Sequence, residues 1–247
     1  MASQLNRSLI KNLDLFKSLP DADLDAVLQT AQVYRLNAGD AAFRQGEVAD
    51  RFFVLLHGHL KVVQVTPDGE QVVVRYVSPG DVFGIARAMR RPNYPASTIA
   101  VQESLALSWP STEWDQFTAT NPHFASNALQ TVGQRLQDAH SRIQELSTEE
   151  VEQRVARAIL RLVDQSGQQT PEGIVIDFPI TRQDIAEMTG TTLHTVSRLM
   201  SAWEKRGLVT SGRKRIVVCA IDDLIRLAEG QQAPATASAT RINAESA

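Results

Sequence analysis

Ile180-Thr-Arg-Gln-Asp-Ile-Ala-Glu-Met-Thr-Gly-Thr-Thr-Leu-His-Thr-Val-Ser-Arg-Leu-Met200 is the stretch on which the reading of this chain turns. Thr181 suits an N-cap, because its hydroxyl oxygen can accept an N–H that the first helical turn leaves unpaired. The helix it opens is about two turns long, with Ile185, Ala186 and Met188 on its buried side. Gly190 admits a sharp turn, and Thr192 is placed to cap a second helix. On that second helix Leu193, Val196, Leu199, Met200 and Trp203 form an apolar stripe that reads as core, whereas His194, Ser197, Arg198, Ser201 and Lys205 fall on the opposite face.

Two short helices across a tight glycine turn make a helix-turn-helix. The polar face of its second helix carries small hydroxyls and one planar guanidinium, which suits the major groove, where Arg bonds both O6 and N7 of guanine. A merely solvated helix face is the bland alternative, and local charge weighs against it. Between 182 and 215, seven basic residues (Arg182, Arg198, Lys205, Arg206, Arg213, Lys214, Arg215) stand against Asp184, Glu187 and Glu204, a net +4. Gly212-Arg-Lys-Arg215 before Ile216-Val-Val218 reads as a basic wing that would meet phosphates. The candidate contacts to double-stranded DNA are Arg182, Thr192, His194, Thr195, Ser197, Arg198, Ser201, Lys205, Arg213 and Lys214.

Working outward, a helix is predicted from Thr148 to about Ser166, then a hairpin-like Gly173-Ile-Val-Ile-Asp-Phe178, and, beyond the helix-turn-helix, a strand over Arg213–Cys219. Residues 111–146 also have helical period. Ser111 is read as the cap of a short helix, and Asn121 with Pro122 as the start of a longer one. On the longer helix Leu129, Leu136 and Ile143 are seven apart, and Val132, Ala139 and Leu146 repeat the spacing offset by three. This a/d seam predicts a two-helix zipper and a homodimer; a helix lying on its own β domain is the alternative. A two-fold dimer would set two recognition helices about one DNA turn apart over an inverted repeat.

Residues 31–109 read as strands: Phe52–Leu56, Leu60–Val65, Val72–Val77 and Leu105–Trp109, separated by Gly and Pro turns such as Pro67-Asp-Gly69 and Pro79-Gly-Asp81. Short, evenly spaced strands suggest a β-roll or barrel. Residues 1–30 are read as helical, with Leu9, Leu13, Phe16 and Leu19 about a turn apart and Pro20 as a stop. The predicted fold class is therefore α+β. Its units are 1–115 (N-terminal helix and β-roll sensory domain), 116–146 (dimerisation helix), 147–230 (winged helix-turn-helix) and 231–247 (an Ala/Ser/Thr/Gln-rich tail expected to be disordered).

The chain has 247 residues, 43% hydrophobic and 21% charged, with 25 Lys+Arg against 28 Asp+Glu. That excludes a uniformly basic binder but not a local basic patch. One cysteine, Cys219, excludes an intrachain disulfide, a Cys₄ zinc site and a four-cysteine iron–sulfur cluster; it is read as a packed small hydrophobe. No signal peptide or span of ~20 apolar residues is visible, and a cytoplasmic, membrane-free protein is expected. Two rival classes are weighed. His57-Gly-His59 on a roll invites a cupin-type metal enzyme, but Val63 and Gln64 stand where a third ligand would be needed. A pure protein-interaction module would show no footprint on inverted repeats. No catalytic and no metal-ligating residues are assigned.

With these features in place the chain resembles the CRP/FNR family of bacterial transcription regulators over about residues 10–228. The likeness rests on Phe53-Val-Leu-Leu-His-Gly-His-Leu60, Pro79-Gly-Asp-Val-Phe-Gly84, the long helix, Ile180-Thr-Arg-Gln-Asp-Ile-Ala186 and Thr195-Val-Ser-Arg198. It implies a homodimer, a sensory roll of the cyclic-nucleotide-binding type, a C-terminal winged helix and recruitment of RNA polymerase. In cyclic-AMP sensors of the family a Glu follows the Phe-Gly element and an Arg later holds the phosphate. Here Ile85 follows Gly84, and the later segment reads Tyr94-Pro-Ala-Ser-Thr98. Cyclic AMP is therefore not the expected ligand, since its phosphate would go uncompensated. The N-terminal cysteines of oxygen sensors with iron–sulfur clusters are missing. Arg91-Pro-Asn-Tyr-Pro-Ala-Ser97 and Leu193-His-Thr-Val-Ser-Arg198 resemble the NnrR/Dnr branch, which implies a nitrogen-oxide signal, denitrification genes and haem as cofactor. Arg198 then implies a guanine in a TTG-like half-site, and His194 stands where Glu is usual. No histidine among His57, His59, His123 and His140 has a diagnostic ligand spacing. Arg87 and Tyr94 are the candidate pocket residues near the roll–helix junction. A redox or other small-molecule signal is the alternative.

Overall fold

The computed structural model describes residues 6–231; the tail expected to be disordered lies outside the described residues from 232 onward. Strands β1 (Gln32–Leu36), β2 (Ala41–Phe43), β3 (Arg51–His57), β4 (Leu60–Val65), β5 (Gln71–Val77), β6 (Val82–Phe83), β7 (Ser97–Ala100) and β8 (Ser104–Pro110) form two four-stranded antiparallel sheets. Their orders are β1-β8-β3-β6 and β2-β7-β4-β5, a roll as the sequence predicts.

Side chains on β3 alternate between two cores. Phe53 and Leu55 face the roll interior with Phe43, Phe83 and Tyr94. Phe52 and Val54 face outward and are still buried, against Trp109 and helices α1 (Asp21–Gln29), α2 (Ser111–Thr120) and the start of α3 (Pro122–Thr148). Burial on both faces explains why Phe52–Leu56 is an unbroken apolar run rather than an alternating one.

Several local expectations are corrected. Pro20 does not stop a helix; with φ −58 it precedes α1, a position where its missing N–H costs nothing. Upstream, among the described residues, lie only short 3₁₀ turns at Arg7–Leu9 and Asp14–Phe16. Ser111 is the first residue of α2, not its cap, and its hydroxyl donates to the Ala49 carbonyl at 2.8 Å. Asn121 does cap α3, accepting from Phe124 N at 3.0 Å. This helix runs through Thr148, so no new helix begins there. Helix α4 (Val151–Ser166) starts after Glu150, whose N–H donates to the Gln153 side chain at 2.8 Å.

The C-terminal unit continues with β9 (Gly167–Thr170), β10 (Gly173–Ile176), α5 (Arg182–Thr189), α6 (Leu193–Lys205), β11 (Val209–Gly212), β12 (Arg215–Val218) and α7 (Ile221–Ala228). The small sheet has the order β11-β12-β10-β9. Helix α7, which the sequence reading does not anticipate, buries Leu224, Leu227 and Ala228. Cys219 falls just past β12 and is exposed, not packed.

His57 and His59 do not share a strand face. Gly58 between them turns the chain at φ +87, and a Cβ there would meet Ser104 Oγ at 2.2 Å. His57 is exposed and His59 is buried. The roll and the C-terminal unit are also not independent bodies. Val63, Val73 and Tyr76 of the roll join one apolar cluster with Ile185, Ala186 and Met188. Phe178 packs its ring on His59 (4.5 Å) and on Tyr76 (4.6 Å).

Candidate nucleic-acid interface

The helix-turn-helix is built as its sequence requires. Thr181 Oγ1 accepts from Asp184 N at 3.1 Å, while Thr181 N donates to Asp184 Oδ2 at 2.9 Å, a reciprocal cap on α5. Gly190 ends α5 in the left-handed region (φ +62), and Thr191 N donates back to the Ala186 carbonyl at 3.1 Å. Thr192 Oγ1 then accepts from Thr195 N at 3.2 Å and opens α6.

Val196, Met200 and Trp203 of α6 are fully buried, and Leu199 packs at the edge of the same core. Trp203 Nε1 donates to Glu152 Oε1 at 2.8 Å, which ties α6 to α4. Leu193 departs from the predicted stripe, being 47% exposed. It is the first residue of α6, so it has no preceding turn for its side chain to lie over.

The opposite face is free. His194, Arg198, Ser201 and Lys205 are exposed, and Thr195 and Ser197 are half-buried beside them. Among the described residues Arg198, Lys205, Arg213 and Lys214 make no salt bridge. Arg213 and Lys214 form the exposed turn of the β11–β12 hairpin, with Lys214 at φ +59. Arg182 is engaged within the domain. One nitrogen of its guanidinium meets Glu204 Oε1 at 3.3 Å and Ser211 Oγ at 2.8 Å, so it braces α5 against α6 and the wing.

The face of α5 away from α6 rests on the roll. Lys61 Nζ of β4 lies 2.7 Å from Asp184 Oδ1, the same carboxylate that caps α5, and both side chains are largely buried. Burial alone would raise the Asp184 pKa, but hydrogen bonds from Lys61 and Thr181 outweigh it and hold the group below the usual carboxylate range. Nothing in the local sequence marks this pair, whose members are 123 residues apart.

On α3 the a/d residues stand uncovered in the single chain. Leu129 is 73% exposed, Leu136 57%, Ile143 61% and Leu146 49%, with Ala139 exposed beside them. Val132 is half-buried against the core under the roll. The opposite side of α3 holds the roll through Phe124, Ala128 and hydrogen bonds from Arg135 to the Val82 carbonyl and from Arg142 to the Val74 carbonyl. The helix therefore lies on its own β domain and still presents a free apolar edge.

The expected ligand pocket is not assembled. Tyr94 is buried in the roll, stacked on Phe43 at 3.7 Å, and its hydroxyl donates to the Arg51 carbonyl at 2.7 Å. Burial pushes its pKa up to about 12. Arg87 is on the surface, 2.6 Å from Asp115, beside Arg90 and Arg91. Nor do the residues fit haem. His57, His123, His140 and His194 are exposed. Both ring nitrogens of buried His59 are taken, by Ser166 Oγ (3.0 Å) and the Gln102 amide (3.3 Å). The cavity of about 600 Å³ between roll, α3 and α4 is lined by arginines and contains no histidine. Among the described residues no cluster of three or more His, Cys, Asp and Glu side chains suits a metal, and no helix is long and apolar enough to cross a membrane.

Comparison with known proteins agrees with this geometry. A Crp-like helix-turn-helix domain model matches residues 153–227, and a cyclic nucleotide-binding domain model matches residues 33–121. The chain is 22% identical over 220 residues to the CRP-like cAMP-activated global transcriptional regulator of Mycobacterium tuberculosis, covering 89% of this chain and 98% of that one. It is 27% identical over 189 residues to the Global nitrogen regulator of Synechococcus elongatus, covering 76% and 85%. In fold it is similar to FixK2 from Bradyrhizobium japonicum, with a TM-score of 0.71 at 21% identity over 80% of this chain and 96% of that one. These relatives are transcription regulators rather than enzymes, which removes the cupin alternative. A roll of the cyclic-nucleotide-binding type, a long helix and a Crp-like helix-turn-helix in this order make the chain a member of the CRP/FNR family of DNA-binding transcription regulators.

Proposed function

We propose that the protein works as a homodimer that reads an inverted-repeat operator, each α6 entering one major groove while the α3 edges pair. The observation that carries this is the combination of an unpaired guanidinium at Arg198 on an exposed polar face and an uncovered apolar edge on α3. Arg198 would bond a guanine in a TTG-like half-site, with Arg213 and Lys214 against phosphates. A two-fold partner doubles the half-site and covers Leu129, Leu136 and Ile143. Recruitment of RNA polymerase in the cytoplasm belongs to the same reading. Fluorescence anisotropy on an inverted repeat and on a single half-site tests it. Binding of one dimer to the repeat with much weaker half-site binding is expected; equal affinity for scrambled DNA would refute it.

For the signal, the likeness of Arg91–Ser97 and Leu193–Arg198 to the nitrogen-oxide-responsive branch supports control of denitrification genes. Expression of such genes under nitric oxide, with and without the protein, tests that. Cyclic AMP is not the ligand in this reading, because Ile85 follows Gly84 and the segment Tyr94–Thr98 carries no arginine, where the resemblance implies charged partners. A small-molecule signal is the second reading, favoured by the cavity between roll, α3 and α4.

A further inference from the structure

His59 stands in the turn between β3 and β4, where the roll meets the C-terminal unit, and is 6% exposed. Three segments far apart in sequence close on its ring. Gln102, in the turn between β7 and β8, places its amide nitrogen 3.3 Å from Nδ1. Ser166, the last residue of α4, has its Oγ 3.0 Å from Nε2. Phe178, on the segment that leads into α5, stacks on the ring face at 4.5 Å. With an amide N–H pointed at it, Nδ1 is the acceptor, and Nε2 carries the ring's one proton and donates to Ser166. The neutral ring is thus fully hydrogen-bonded, on one side by the roll and on the other by the DNA-binding unit.

A second proton has no acceptor in this arrangement. It would sit on Nδ1, against the Gln102 N–H, and leave a charge out of reach of water. Burial is the largest influence on the ring and lowers its pKa from the ordinary imidazole value; Asp177 opposes this, His57 reinforces it, and Asp81 opposes it. Phe178 offers a cation only the weak attraction of its ring face. The other charged groups on the surrounding elements are engaged or in solvent: Lys61 on β4 is committed to Asp184 of α5, and Glu103 and Asp164 are exposed.

We propose that His59 is a proton-operated latch between the roll and the DNA-binding unit, closed while the ring is neutral and released when acidification puts a second proton on Nδ1. A histidine whose folded pKa is lowered contributes stability that is complete above about 6.5 and is lost as pH falls from there through the folded value. Opening the junction gives the imidazolium to water, and Ser166 and Phe178 let go of the roll. The opening equilibrium therefore rises by up to about tenfold per pH unit across that window. Asp184 is still ionised there, because its own value is held below the usual carboxylate range. The latch is thus a device separate from the Lys61–Asp184 pair, and it stands whether or not the operator reading does.

Two measurements on the full chain test it, both without DNA, because His194 puts another imidazole on the reading face of α6. The first is an NMR titration of the His59 ring in the wild type. A midpoint below about 6.5 is expected, and one at or above it overturns the latch. The second is hydrogen exchange of the α5 amides at about pH 7.5 and about pH 5.5, in wild type relative to His59→Gln, a ratio in which the intrinsic pH dependence of exchange cancels. Acidification should raise that ratio about threefold or more, and a smaller rise overturns the latch. His57→Gln, at an exposed ring two residues away, should open with acid as the wild type does; loss of the response there would move the switch off His59. Gln102→Glu gives the second proton an acceptor and a counter-charge. It should lift the His59 midpoint above about 6.5 and abolish acid opening, and opening like that of the wild type would again refute the latch. Should His59→Gln fail to fold, the wild-type titration and Gln102→Glu still decide.

Discussion

Leu136→Glu should separate the dimer into monomers. Leu136 is 57% exposed in the single chain. Full burial of a Leu is worth about 1.5–3 kcal/mol, so covering the exposed part contributes about 1–2 kcal/mol per copy and twice that across a two-fold. The substitution also places two carboxylates opposite each other. At about 5 Å and an effective dielectric near 20, their repulsion is about 3 kcal/mol. The total of about 5–7 kcal/mol weakens association about 10⁴-fold. Sedimentation velocity over a dilution series reads this directly. The variant should fold normally, because it replaces an exposed side chain, and its melting curve is the control. Operator affinity should fall with the dimer, since a monomer reaches only one half-site. A Leu136→Glu chain that sediments as a dimer at wild-type concentrations would show that α3 does not form the seam.

Other expectations follow from single contacts. Lys61→Met leaves the Asp184 carboxylate buried beside its remaining Thr181 bonds and should cost about 2–4 kcal/mol in urea unfolding; a cost near zero would mean the clasp is ornamental. The same pair sets an acid limit. The folded pKa of Asp184 is depressed, so its contribution is present above the unfolded value of about 4 and is lost as pH falls through the folded value. Acid unfolding monitored by circular dichroism should begin at higher pH in Lys61→Met. Gly190→Ala must hold a Cβ at φ +62 and should cost about 1–2 kcal/mol, although no steric obstacle stands closer than Leu146 Cδ2 at 3.4 Å. Trp203→Phe removes a bond to a charged acceptor and should destabilise by about 1.5–3 kcal/mol, with the melt as readout.

What was legible in the sequence is what local rules govern. Thr181, Gly190 and Thr192 carry their own cap and turn chemistry, so both helices of the helix-turn-helix could be bounded to within a residue or two. The strands of the roll were marked by apolar runs between Gly and Pro turns. Elements that misled did so where one residue type serves two roles. Pro20 ends helices and also precedes them, and Ser111 caps helices but here bonds a distant carbonyl. The docking of α5 on the roll was not legible, because Lys61 and Asp184 are ordinary surface-type residues until the fold brings them together. The same holds for the arginine-lined cavity, although α3 carried a trace of it. Arg135 and Arg142, like Asp138 and Glu145, are seven apart and mark a charged face on the side of the helix that meets the roll.

The most direct test of the central claim is a binding selection on randomised inverted repeats with the wild-type chain and with Arg198→Ala. Wild type should enrich a guanine at one fixed position in each half-site. Arg198→Ala should lose that preference alone, by about 1–3 kcal/mol, while other positions are retained. An unchanged guanine preference in the variant, or enrichment without two-fold symmetry in the wild type, would contradict the placement of α6 in the groove.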